Sequence, residues 1–407
     1  MAATHIVGRR QYDTQSSRII QNVLNRIMLL DENINEAAFM AFFSDVAKET
    51  TPQEKFLWDT DEYLALTDTL SAAVASTTQE TLHVTNPKYW IPGQIWENKR
   101  TGEKVFVKEV NNSTSQITVT RAVTALNSSG GTAAATMNNA DTMVRHANAV
   151  GENSTRQQTQ TTTPTEVYNY CQAMRWDLSL SRRQIKRQYE TGDELPYQTK
   201  KQMAEARMSL NRTFLRGERA RYTNDDGDDV TLTRGIMKVP TTYTWSVGGT
   251  MNEYDLDEFL VEEGLRRGSR NKVWFASTQQ ILAFSEMTKD RIAYNMVDFG
   301  QGKKRVGIQV VEYMAPNGGA VMIVEDRFLS EAFNGDGVGC DMGQLKRKVF
   351  SRSGYDDDLH IIPDTQDKDD MGTVSTLYCD MGLEWGLEQS HFLVTNVEGG
   401  AKGRAIG

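Results

Sequence analysis

The chain has 407 residues, with 45 Lys and Arg against 54 Asp and Glu for a net charge of −9. That length exceeds one ordinary compact core and predicts two or three domains. An apolar fraction of 39% and a charged fraction of 24% fit a globular protein rather than a fibre or a disordered chain, and the acidic total argues against a general nucleic-acid binder while leaving room for a local basic face.

The opening "MAATHIVGRRQYDTQSSRII" has no apolar core of the length a secretion signal needs. No later window reaches the ~20 apolar residues of a membrane span. Within the first 60 residues, "SSRIIQNVLNRIMLL" sets Ile19, Ile20, Val23, Ile27 and Leu30 at helical spacing, and "NEAAFMAFFSDVAKE" sets Phe39, Phe42, Phe43 and Val46 on one face. Turn residues are few here and no independent core is evident, so the segment reads as an arm.

The period then changes. In "KVFVKEVNNSTSQITVTRAV", Val105, Val107, Ile117 and Val119 alternate with polar residues, which predicts a half-buried antiparallel sheet with turns at "RTGE" and "NNSTS". "GENSTRQQTQTTTPT" is a polar connector, and "EVYNYCQAMRWDLSLS" reads as a strand pair. A long helix is predicted over 193–222, with Asp193 as the N-cap and Pro196 in its first turn. Beyond it, "EYDLDEFLVEEGLRRG" and "STQQILAFSEMT" read as helices, and "KVWFAS", "KRVGIQVVEYM" and "GAVMIVED" as strands. Further strands follow around the acidic loop "PDTQDKDDMG".

Motifs for chemistry are scarce. His5, His83, His146, His360 and His391 are scattered without zinc-ligand spacing. "GDGVGCDMG" has Met342 where a dinucleotide fingerprint needs Gly or Ala, and reads as a Gly-rich loop. The clusters "TNDDGDD" and "DTQDKDDMG" fail the calcium-loop pattern, with Tyr222, Thr233, Met371 and Tyr378 at ligand positions. Cys171, Cys340 and Cys379, odd in number and far apart, read as reduced, buried thiols. No catalytic residue, metal ligand or cofactor is therefore assigned.

Charge is unevenly spread. Residues 175–221 carry twelve basic and six acidic side chains, net +6 against −15 for the rest. Within the predicted helix Met203, Ala206, Leu210, Phe214 and Gly217 make one narrow apolar stripe, and Arg212, Arg216 and Arg219 lie off it together. A single buried seam with an arginine flank suits a strut lying on a sheet better than a groove-reading DNA helix. A solvated charged face and sequence-blind attraction to phosphate both fit it.

The order of these pieces, with "TPQEKFLWDTDEY" (Thr51–Tyr63), "PGQIWENKRTGEKVFVKEVNNSTSQITVTRAV" (Pro92–Val123), "LNRTFLRGERARY" leading to "TRGI" (Leu210–Ile236) and "RRGSRNKVWFAS" (Arg266–Ser277), resembles the major capsid proteins of tailed bacteriophages with the Hong Kong 97-like fold. The resemblance covers nearly the whole chain. It implies an α+β fold: an N-terminal arm at 1–58, an extended loop at 59–150 carrying a β module at about 80–147, and a peripheral domain at 151–245 with the spine helix. An axial domain at 246–345 and a C-terminal return at 346–407 complete it.

It also implies a structural, non-enzymatic protein of the virion, assembled in the host cytoplasm as hexamers and pentamers of an icosahedral shell around double-stranded DNA. Arg207, Arg212, Arg216 and Arg219 are then candidates to face the packaged DNA. Trp58, Trp90, Trp96, Lys99, Arg100 and Lys104 are candidates for contacts between subunits. Implied partners are a separate scaffolding protein (the arm begins near Met1 without a long extra domain), a portal and a decoration protein, with no membrane. An encapsulin-like compartment shell, or a tail or decoration protein, is the alternative.

Overall fold

Strands send alternate side chains to one face, and Val105, Val107, Ile117 and Val119 are all fully buried in the computed structural model of the chain. The structure describes residues 37–126, 130–150, 152, 162–187, 193–287, 293–294, 310–352, 355–356, 358–367 and 372–401. Two compact units result, one from residues 59–166 and a larger one from 1–58 with 167–407. The expected helix "SSRIIQNVLNRIMLL" lies outside the described residues.

In the smaller unit six strands run in the order Thr67–Thr69, Thr142–Asn148, Gln94–Asn98, Lys104–Asn111, Gln116–Thr120, Thr81–His83. Every pairing is antiparallel. At "NNSTS" the Asn111 side chain accepts hydrogen bonds from the backbone of Ser113 (3.1 Å) and Thr114 (3.3 Å), the local cap that lets the chain reverse. The core joins the four alternating residues to Leu70, Leu82, Trp90 and Trp96.

Among the described residues the larger unit holds two large sheets. One has the order Thr244–Asn252, Phe392–Ala401, Gly337–Cys340, Asn271–Ala276, Ala320–Glu325, Val310–Met314, Ala293–Tyr294. The stretch expected as a Gly-rich loop is therefore a buried strand at the middle of this sheet. Its glycines have a packing reason, since a Cβ on Gly339 would lie 2.0 Å from the Phe392 ring. The other sheet runs Lys48–Thr51, Lys346–Arg352, Gly372–Glu384, Gln172–Ser181, with Lys48–Thr51 parallel to its neighbour and the remaining pairs antiparallel. Two strands form in the stretch "EVYNYCQAMRWDLSLS", Thr165–Tyr170 and Gln172–Ser181, but they are not paired with each other: they lie in different sheets, the second against Gly372–Glu384.

The long helix spans Glu194–Arg216, shorter than the predicted 193–222. Asp193 occupies the N-cap position without making a side-chain cap bond. The helix stops at Gly217 because the returning chain packs onto that backbone: Gly235 N–H donates to Gly217 O (2.9 Å), and a Cβ on Gly217 would lie 2.6 Å from Thr233 O. Residues 220–223 then form a hairpin strand paired with Asp229–Leu232. The apolar stripe is as read at Ala206, Leu210 and Phe214, and Asn211 and Leu215 are buried beside it.

Against that face lies the short helix Ala38–Phe43, whose Phe39 and Phe43 are fully buried, with Phe43 and Phe214 ring centroids 5.0 Å apart. The docking is also polar. Asn211 accepts from Met40 N–H (3.0 Å) and donates to Asp326 (2.9 Å), which also caps the helix Arg327–Ala332 through Phe328 N–H and Leu329 N–H. Residues 37–58, read from sequence as arm, thus belong to the larger unit.

Candidate functional site

The four arginines assigned to a nucleic-acid-facing flank do not form one surface. Arg207 is exposed on the long helix, and Arg212 is exposed with its guanidinium 5.8 Å from the Phe328 ring centroid. Arg216 stacks on Phe333 at 3.6 Å and pairs with Asp336 at 3.0 Å. Arg219 lies beyond the helix end, not on it, stacked 3.8 Å over Tyr168 and donating to the Tyr168 carbonyl (2.6 Å). Guanidinium groups stack on aromatic faces and fill their donors on carbonyls or carboxylates. Arg216 and Arg219 thus lock neighbouring chain in place, and Arg207 and Arg212 remain the outward pair.

A second basic group has a more concentrated geometry. Ser181 caps the helix Arg182–Lys186: its Oγ accepts from Gln184 N–H, and the Gln184 side chain accepts from Ser181 N–H, each at 3.3 Å. This reciprocal cap turns the chain sharply off the edge strand Gln172–Ser181 and brings Arg182, Arg183, Lys186 and Arg187, all exposed, around a groove of about 800 Å³. The sequence count of basic residues included these four but gave no sign that a cap would gather them.

In the smaller unit, Trp90 and Trp96 are corrections to the expected inter-subunit contacts. Their indoles stack 3.9 Å apart, 12° from parallel, inside the unit's own core, with 3% and 0% of their surface exposed. Trp90 Nε1 donates to Asp68 (2.8 Å) and Trp96 Nε1 to Gln94 (3.1 Å), so both polar tips are satisfied internally. Arg100 is exposed but grips Asp141 at two points, Nε–Oδ1 2.9 Å and Nη2–Oδ2 2.8 Å. That guanidinium, with help from Asn98 and Asn138, holds the Asp141 carboxyl down at about 2. Lys104 sits 3.8 Å from Glu97, and Lys99 is exposed with no ion pair among the described residues. In the larger unit, Trp58 is half-buried, edge-on to Trp385 at 4.8 Å and donating to Gly386 O (3.1 Å).

The three cysteines are free and buried, and burial pushes their thiols up, that of Cys379 to about 12, far from the thiolate a nucleophile needs. Among the described residues no three His, Cys, Asp or Glu side chains converge as a metal-ligand set, and no helix is long and apolar enough to cross a membrane. What these surfaces present is charge and shape.

Comparison with solved structures gives similar chains at low identity. A chain in the solved structure of Mycobacterium phage Bobi is 8% identical with a TM-score of 0.49, covering 97% of this chain and 100% of that one. The capsid of the native GTA particle is 9% identical with a TM-score of 0.47, covering 96% and 100%. The holo-SrpI encapsulin complex of Synechococcus elongatus PCC 7942 is 12% identical with a TM-score of 0.41, covering 58% and 76%. No curated protein matches the chain. The model of the SU10 major capsid protein family matches residues 10–398. The mixed α+β architecture, with its long helix and separate β unit, is consistent with the Hong Kong 97-like class. With all but short ends of its length matched, the chain belongs to the SU10 major capsid protein family and is a structural phage capsid protein.

Proposed function

We propose that this chain builds the icosahedral head of a tailed bacteriophage as hexamers and pentamers around double-stranded DNA, assembling in the host cytoplasm with a separate scaffolding protein, a portal and a decoration protein. The family match over residues 10–398 carries this reading. The role is one of architecture, without a catalytic step. Each subunit makes several individually weak contacts, and repetition over a closed shell makes them collectively strong while letting misplaced subunits leave.

Arg207 and Arg212 are assigned to the inner surface, where exposed guanidinium groups attract phosphate without regard to sequence. Lys99 is assigned to the contact between neighbouring subunits. Electron microscopy of the expressed full chain, with and without its scaffold, tests the assignment: shells or six- and five-membered rings are expected, and a discrete small oligomer overturns it. In filled particles Arg207→Gln with Arg212→Gln is expected to lower the salt sensitivity of DNA retention. An unchanged salt dependence removes these two residues from the inner surface.

A further inference from the structure

The four cations gathered by the Ser181 cap form no ion pair among the described residues. Several other surface cations of this chain are matched, as in Lys48–Asp358 at 3.0 Å, Lys108–Glu80 at 2.9 Å and Lys346–Glu49 at 2.8 Å. Four like charges within six residues repel one another, and an acidic protein that keeps them together holds a surface made for an anion.

The same chain presents a fitting anion. Between the strands Ala220–Thr223 and Asp229–Leu232 the turn is closed by Asn224 N–H to Asp228 O (2.9 Å) and by Asp228 N–H to the Asn224 side chain (2.7 Å), with Gly227 at φ +90°. Asp229 is held by Arg221 at 2.6 Å, whereas Asp225, Asp226 and Asp228 are exposed and make no ion pair among the described residues. The result is a narrow, internally braced turn carrying three unmatched carboxylates. It is opposite in charge to the four exposed cations around the groove of about 800 Å³ beside the edge strand.

We propose that the 182–187 groove receives the 225–228 turn of a second copy of this chain. This rests on the shell-subunit reading above. Because the two patches are different elements, the contact is heterologous and propagates from copy to copy around a ring instead of closing a two-fold dimer. Exposed ion pairs are individually weak and screened by salt, which suits a contact that guides association and allows error correction.

The test uses the full chain in two charge-reversed forms. One is Arg182→Glu, Arg183→Glu, Lys186→Glu and Arg187→Glu, and the other is Asp225→Lys, Asp226→Lys and Asp228→Lys. Circular dichroism confirms that each stays folded. Each set alone is expected to lower particle yield at least tenfold by sedimentation and microscopy, and both sets in one chain are expected to restore it. Mixing Arg183→Cys chains with Asp226→Cys chains is expected to give a disulfide between the two. Folded variants that assemble like the wild type, absence of rescue in a folded combined variant, or a crosslink only within doubly substituted chains overturns the proposal. So does a groove variant that assembles fully but loses only DNA content, which gives the groove to nucleic acid. A wild-type chain that forms no higher assembly under any condition overturns the shell-subunit reading itself.

Discussion

Arg121 and Glu103 form a two-point ion pair in the interior of the smaller unit, with Nε 2.6 Å from Oε1 and Nη2 2.7 Å from Oε2. The remaining valences are filled: Arg121 donates to the carbonyls of Gln79 (3.1 Å) and Ala135 (2.5 Å), and Glu103 accepts from Ala122 N–H (3.1 Å) and Ala135 N–H (3.0 Å). Such a pair ties Ala122 and Ala135 to the sheet, and its worth shows when one member is removed. Glu103→Ala is expected to cost about 3–5 kcal/mol by leaving a buried guanidinium unmatched, and Glu103→Leu with Arg121→Met to recover most of that loss. Denaturant unfolding, with limited proteolysis of residues 59–166 as a local readout, checks both values.

Asp326, fully buried at the junction of the short N-terminal helix and the long helix, has its carboxyl pushed up to about 6 because burial outweighs the hydrogen bonds it accepts. The protonated form is favoured in the fold, so its contribution is present below about pH 4 and is lost as pH rises through 6, a change of about 3 kcal/mol. Asp326→Asn should remove this contribution from the pH dependence of unfolding across pH 4–7, leaving that of His391.

His391 acts in the opposite direction over nearly the same window. It is fully buried, donating from Nε2 to Trp385 O (3.0 Å) and accepting at Nδ1 from Asp341 N–H (3.3 Å), and burial holds it down at about 4. The neutral ring stabilises the fold above pH 6.5, and that stabilisation, about 3 kcal/mol, is lost as pH falls through 4. The two groups offset each other in the wild type. Asp326→Asn should therefore expose falling stability on acidification, and His391→Gln should expose rising stability.

Gly339 faces Phe392 across an antiparallel pair, with the ring lying where a Cβ would sit. Gly339→Ala should destabilise by about 3 kcal/mol through overpacking, and Phe392→Leu in the same chain should return part of it. Equal losses in the single and double variants, measured by thermal unfolding, would show that the ring is not the obstacle.

What the sequence disclosed follows from the range of the interactions. Val105, Val107, Ile117 and Val119 announced a sheet because alternation is local, and all four are buried. The same period placed Trp96 on one face with Asn98, also buried, whereas the resemblance suggested a contact between subunits. The end of the long helix was misjudged because Gly217 ends it through a neighbour eighteen residues on, Gly235. The hairpin after it had a usable signal in "ARYT" and "DVTL" flanking "NDDG". The junction at Asp326 gave none, since its partners Asn211 and Phe39 stand 115 and 287 residues away.

The parallel pairing of Lys48–Thr51 with Lys346–Arg352 also sets an order of events during synthesis. Register joins Lys48 to Arg347, so the early strand must wait for about 300 further residues, roughly 15–60 s at ribosomal speeds. Residues 59–166 are continuous in the chain and can close while the ribosome is still working. On a crowded polysome, nascent chains thus display finished small units but lack the surface that depends on the last quarter of the polypeptide. Connectivity acts as a clock, withholding a complete subunit from its neighbours until translation is nearly done.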